Sequence, residues 1–154
     1  MKVNNITRKH ARYLDSPVDP DKDSSISIEE PGLEESVVSD SPLEKLPHLR
    51  IAFWDIVKIT QGFGLDEYFY PPTEDDAKQI VDFILAHPNK NVVVNCKAGV
   101  SRSSAISRFC SEYLGYEWDA EGFTRAVPNQ LLYDMMVKYH NKPKKTVIND
   151  KRRK

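Results

Sequence analysis

Residues 91–95, NVVVN, form a short apolar run bounded by turn signals and set between two stretches of helical periodicity. A β-branched run of this length reads as a strand covered on both faces, and such strands belong to parallel sheets flanked by helices. Before it, Ala77, Ile80, Val81 and Ile84 share one helical face. Thr73 is the expected N-cap of that helix, Asp76 follows three residues on, and Pro88 stops it. After it, Ala105, Ile106, Phe109, Cys110 and Leu114 make a second stripe that Gly115 can cap. Further strands are predicted at 2–6, at 25–29, where Ile26 and Ile28 share a face, and at 49–54, ending at Asp55. Thr7 would cap a short helix through Leu14, and two more helices fall at about 119–126 and 129–140, with Asn129 as N-cap of the last. Strands alternating with helices predict an α/β fold with a mostly parallel central sheet.

The 154 residues suffice for one compact domain. It is expected over 1–140, with acidic loops at 15–24 and 30–47 and a basic flexible tail at 141–154. Net charge is −1, so bulk charge indicates neither nucleic acid nor membrane as a partner. The charge is uneven, however: residues 15–47 carry ten acidic and two basic side chains. No run approaches the roughly 18 apolar residues of a membrane span, and the N-terminal stretch lacks the apolar core of a secretory signal. Two cysteines, Cys96 and Cys110, cannot build a disulfide framework, so a reducing, cytoplasmic setting is expected. The four histidines are scattered without zinc spacing, and no metal or cofactor is expected.

Cys96 ends the apolar run and the loop KAGVSR carries the chain into the next helix. A loop at the C-terminal edge of a parallel sheet, feeding a helix N-terminus, lies in the favoured ligand crevice of an open α/β fold. Free N–H groups and the helix dipole attract anions there, and successive amides of a tight loop can form an anion nest. Gly99 supplies backbone freedom, Ala98 keeps the loop narrow, and Arg102 adds a planar fork matched to two phosphate oxygens. The same positive potential favours thiolate over thiol at Cys96. The expected chemistry is phosphoryl transfer to sulfur followed by hydrolysis. Cys110, two helical turns on, reads as core.

Cys96, Gly99, Arg102 and Ser103 match the C-x-x-G-x-x-R-[S/T] signature of cysteine-dependent protein tyrosine phosphatases, and AGVSRS resembles the compact dual-specificity branch. FWD at 53–55 resembles the end of the strand that delivers the family's general acid. ISIEEPG at 26–32 resembles an early strand and turn of small bacterial and phage members, and VPN at 127–129 a family helix start. The resemblance spans most of 25–140 and implies a dual-specificity phosphatase-like fold. It implies Cys96 as nucleophile, Arg102 as phosphate clamp, Ser103 as hydrogen-bond donor to the sulfur, and the main chain of Lys97, Ala98, Gly99, Val100, Ser101 and Arg102 as the phosphate cradle.

Asp55 is the expected general acid, because it ends a strand at the edge where the Cys96 loop sits. It lies farther upstream of the cysteine than in most relatives, which leaves Asp66, Asp75 and Asp76 as alternatives. Asn95 stands where most relatives have His. It is expected to donate to loop carbonyls without carrying positive charge. Phe63, Tyr68, Phe69 and Tyr70 read either as a pocket rim or as loop packing.

The implied activity is hydrolysis of phosphotyrosine in protein substrates, with phosphoserine and phosphothreonine left open. Two alternatives stand beside it. One is a phosphatase of RNA 5′-phosphates, phosphoinositides or other small phosphate esters. The other is a phosphate-binding module without turnover. Lys97 is the single lysine between Cys96 and Arg102, which argues against polyanionic substrates.

Overall fold

The computed structural model describes residues 1–32, 35–36, 38–57 and 70–143. Five strands form one sheet: β1 (Lys2–Thr7), β2 (Asp23–Glu29), β3 (His48–Ala52), β4 (Asn91–Cys96) and β5 (Glu117–Trp118). Their order is β3-β2-β4-β1-β5 and every pairing is parallel. The helices are α1 (Arg8–Arg12), α2 (Glu74–Ala86), α3 (Arg102–Leu114), α4 (Ala120–Arg125) and α5 (Gln130–His140), with one 3-10 turn at Pro42–Lys45. The fold is therefore α/β, as the alternation of periods implies.

β4 occupies the middle of the sheet and splits its valines between two cores. Val92 and Val94 join Val3, Ile26 and Ile28 against Ile80 and Ile84 of α2, Ile106 and Phe109 of α3, and Leu132 and Met136 of α5. Val93 points the other way, onto a smaller cluster of Ile6, Ala11, Val38, Leu43 and Leu46. Period-two side chains covered on both sides are what a continuous valine run encodes.

α2 begins with a full capping box: Thr73 Oγ1 accepts from Asp76 N at 3.1 Å, and Asp76 accepts from Thr73 N at 2.9 Å. α3 ends at Gly115, whose φ of +72° closes the helix in the left-handed region.

Two expectations need correction, and one element is new. The segment 30–47 is more than a surface connection, because Val38, Leu43 and Leu46 supply three of the five buried residues of the second core. Its Pro and acid content hid that contribution; the apolar positions are too sparse to show a period. β3 stops at Ala52, so residues 53–56 run on irregularly and Asp55 lies beyond the strand, although Phe53 N still bonds Glu29 O at 3.1 Å. β5, two residues long, carries no periodic signal and was not anticipated.

Candidate active site

All five strands point the same way, so the C-terminal ends of β1, β2 and β4 meet at one edge. Thr7 lies opposite Cys96 in the register, and Ser27 opposite Asn95. The loop 97–101 leaves from that edge and enters α3. No side chain caps α3, and its first turn holds no acid. Among the described residues, none of the amides of Lys97 through Ser101 donates to a protein oxygen. A row of unpaired N–H groups at a helix start is an anion-binding surface.

Gly99 is required twice over. Its φ is +66°, and a Cβ there would stand 2.6 Å from the Ile6 carbonyl carbon and 2.8 Å from Thr7 N. The loop is thus pressed directly against the β1 backbone. Asn5 of β1, fully buried, fixes that approach by donating from Nδ2 to Gly99 O at 2.8 Å. Arg125 Nε reaches the same carbonyl at 3.4 Å, and Trp118 Nε1 donates to Asn5 Oδ1 at 2.8 Å, which fixes the amide's orientation.

Cys96 is buried, with Sγ 3.1 Å from the Ser103 hydroxyl. Ser103 sits one residue into α3 and is itself fully buried. Arg102, only 5% exposed, folds back over the edge. It donates from one terminal nitrogen to Phe53 O at 2.8 Å and from the other to Glu30 Oε1 at 3.5 Å. A guanidinium has five donors, so the remaining ones are free to meet an anion. Glu30 also pairs with Arg8. Burial raises the Glu30 pKa, but its own backbone N–H and the charges of Arg8 and Arg102 outweigh this and hold it below the usual carboxylate range.

Asp55 is tied to the loop it was expected to serve. Its Oδ1 accepts from Ser101 Oγ at 2.8 Å and from Asn129 Nδ2 at 2.8 Å. Asn129 is fully buried and also donates to Ile56 O at 3.1 Å, while its own Oδ1 caps α5 through Leu132 N at 2.9 Å. Its backbone N bonds Ser101 O at 3.0 Å. One asparagine therefore links the residue-55 segment, the Cys96 loop and α5.

The other candidates fall elsewhere. Asp76 serves the α2 capping box, and Asp75 accepts from Gln79 on the exposed side of that helix. Burial, opposed by the bonds to Thr73, raises the Asp76 pKa. Asp66, Phe63, Tyr68 and Phe69 lie outside the described residues, as do 144–154 of the basic tail; Tyr70 is exposed. Cys110 is fully buried and its thiol pKa is driven far up by burial, as a core residue's should be. Asn95 departs from expectation: Nδ2 donates to Ser27 Oγ at 2.8 Å and Ile26 O at 3.5 Å on β2, not to the loop. The loop carbonyl is held by Asn5 instead. No group of three or more His, Cys, Asp or Glu side chains among the described residues is arranged to hold a metal.

Sequence reasoning missed Asn5, Glu30, Arg125 and, as anything beyond a cap, Asn129. Each acts through contacts 72 to 120 positions away in the chain, which no local pattern records. No helix among the described residues is long and apolar enough to cross a membrane. Comparison with protein-family models, with curated proteins and with solved structures finds no match to this chain.

Proposed function

We propose that this protein is a cysteine-dependent phosphomonoesterase resembling the compact dual-specificity phosphatases, with phosphorylated protein as substrate. The supporting observation is the convergence of Cys96, Arg102 and Asp55 around one amide-lined loop at a single sheet edge. The thiolate of Cys96 attacks phosphorus while the bond to the leaving oxygen breaks, and the Asp55 carboxyl gives that oxygen its proton. Water then attacks the phosphocysteine, Asp55 takes the proton, and the P–S bond breaks. The Ser103 hydroxyl, 3.1 Å from Sγ, donates to the departing sulfur. Arg102 and the loop amides stabilise the charge on the transferring group in both steps.

Both hydrogen bonds to Asp55 land on Oδ1, so Oδ2 is the oxygen left to carry the mobile proton. This arrangement favours turnover over a purely binding module, which has no use for a carboxyl fixed beside the phosphate loop.

A chromogenic aryl phosphate tests the proposal. The wild type should hydrolyse it in the presence of chelator, and Cys96→Ser should abolish turnover while still binding phosphate or vanadate. Anion binding without turnover in the wild type would favour the module. Hydrolysis of RNA 5′ ends or phosphoinositides far above that of phosphopeptides would favour the other enzyme reading.

A further inference from the structure

One strand over from the Cys96 loop, α1 leaves β1 at the same edge of the sheet. Arg8 N donates to Lys97 O at 3.4 Å, which packs the start of α1 against the residue that follows the nucleophile. Arg8, Lys9 and Arg12 of α1, Lys97 of the loop and Tyr13 line an open cavity of about 290 Å³. Its lining holds four cations and, among the described residues, no carboxylate. Arg8 pairs with Glu30, and the side chains of Lys9, Arg12 and Lys97 all reach solvent.

We propose that this cavity is a second anion subsite, and that the substrate is a phosphopeptide bearing a carboxylate or a second phosphate within a few residues of the one hydrolysed. The proposal rests on the phosphatase reading of the Cys96 loop. The cavity lies at the small end of ligand sites, a size for one side-chain anion. Its surroundings are acidic. An adjoining cavity shares Arg12 and Tyr13 but is lined also by Glu35 and Asp40. A nucleic acid strand would run from the cations onto these carboxylates, whereas a single flanking charge stops at the cations. The geometry suits a peptide. Neighbouring strands lie about 4.8 Å apart and an extended chain advances about 3.3–3.4 Å per residue. A side chain two or three positions from the phosphoresidue therefore covers the offset from the loop to α1.

The test compares wild type with Lys9→Ala/Arg12→Ala on five substrates: a phosphotyrosyl peptide with neutral flanks, the same peptide with glutamates two and three positions away, a doubly phosphorylated version, p-nitrophenyl phosphate, and a 5′-phosphorylated oligoribonucleotide. The wild type should favour the two anionic peptides over the neutral one at least about fivefold in kcat/KM, through KM, and added salt should shrink the margin. The double variant should lose most of that margin while p-nitrophenyl phosphate changes far less. Lys9→Gln/Arg12→Gln, checked by thermal melting, repeats the comparison should the alanine pair fold poorly. Equal use of neutral and anionic peptides, an equal loss on every substrate, or faster hydrolysis of the oligonucleotide than of any peptide overturns the proposal. Should the wild type hydrolyse no aryl phosphate, the phosphatase reading falls and peptide binding decides the subsite. Tighter binding of the anionic peptides by the wild type alone upholds it, and equal binding overturns it.

Discussion

On the phosphatase reading, the effects of removing Asp55 and of replacing its partner Asn129 should be separable. Asp55→Ala should slow aryl phosphates with poor leaving groups about 10²–10⁴-fold and activated ones far less; equal losses would remove Asp55 from the acid role. Asn129→Asp keeps an oxygen to cap α5 but replaces the amide that donates to Asp55 with a second carboxylate. A like charge disfavours ionisation of its neighbour. Turnover of substrates with poor leaving groups should therefore change more than that of activated ones, and an equal effect on both would show that Asn129 serves the helix alone. His48 supplies a different test. Burial, aided by Arg50 and opposed by Glu29 and Glu44, lowers its pKa, and neither ring nitrogen has a hydrogen-bond partner. The unfolded chain thus takes up the proton first as pH falls, so the contribution of His48 is complete above the ordinary imidazole range and declines as pH drops through it. The urea midpoint should fall between pH 7.5 and 5.5, and His48→Gln should flatten that fall.

At the scale of elements, the loop is shaped more by β1 than by the helix it enters. Gly99→Ala would force a Cβ into the Ile6 carbonyl and Thr7 amide and strain a positive φ. It should cost about 1–3 kcal/mol in denaturant unfolding and lose vanadate binding; an unaltered midpoint would mean the loop re-forms elsewhere. The regular elements were legible because their signals are local: the Thr73 box, the Gly115 cap and the valine run each lie within a few residues of what they specify. Of the candidate site, the Cys96 loop was readable for the same reason, whereas Asp55 lies beyond the strand end that singled it out and reaches the loop through a bond across 46 positions. Asn5, Glu30 and Asn129 were not, because their partners come from other strands and helices. Asn95 shows the converse error. Its position before Cys96 pointed to the loop, but the alternation of β4 turns its side chain to β2.

Across the whole molecule, the sheet carries a large core on one face and a small one on the other, and the small one depends on residues from an acidic, proline-rich segment. Leu43 is fully buried there. Leu43→Ala should cost about 2–5 kcal/mol in urea unfolding, and a loss under 1 kcal/mol would show that the 30–47 segment merely lies on the sheet. The order β3-β2-β4-β1-β5 also sets when the site can exist. Asn5 meets Gly99 across 94 positions, and Asn129 meets Asp55 across 74. During synthesis the thiol therefore emerges well before the asparagine that bonds Asp55. On the phosphatase reading, a nascent chain would carry Cys96 without its completed site until Asn129 had been made.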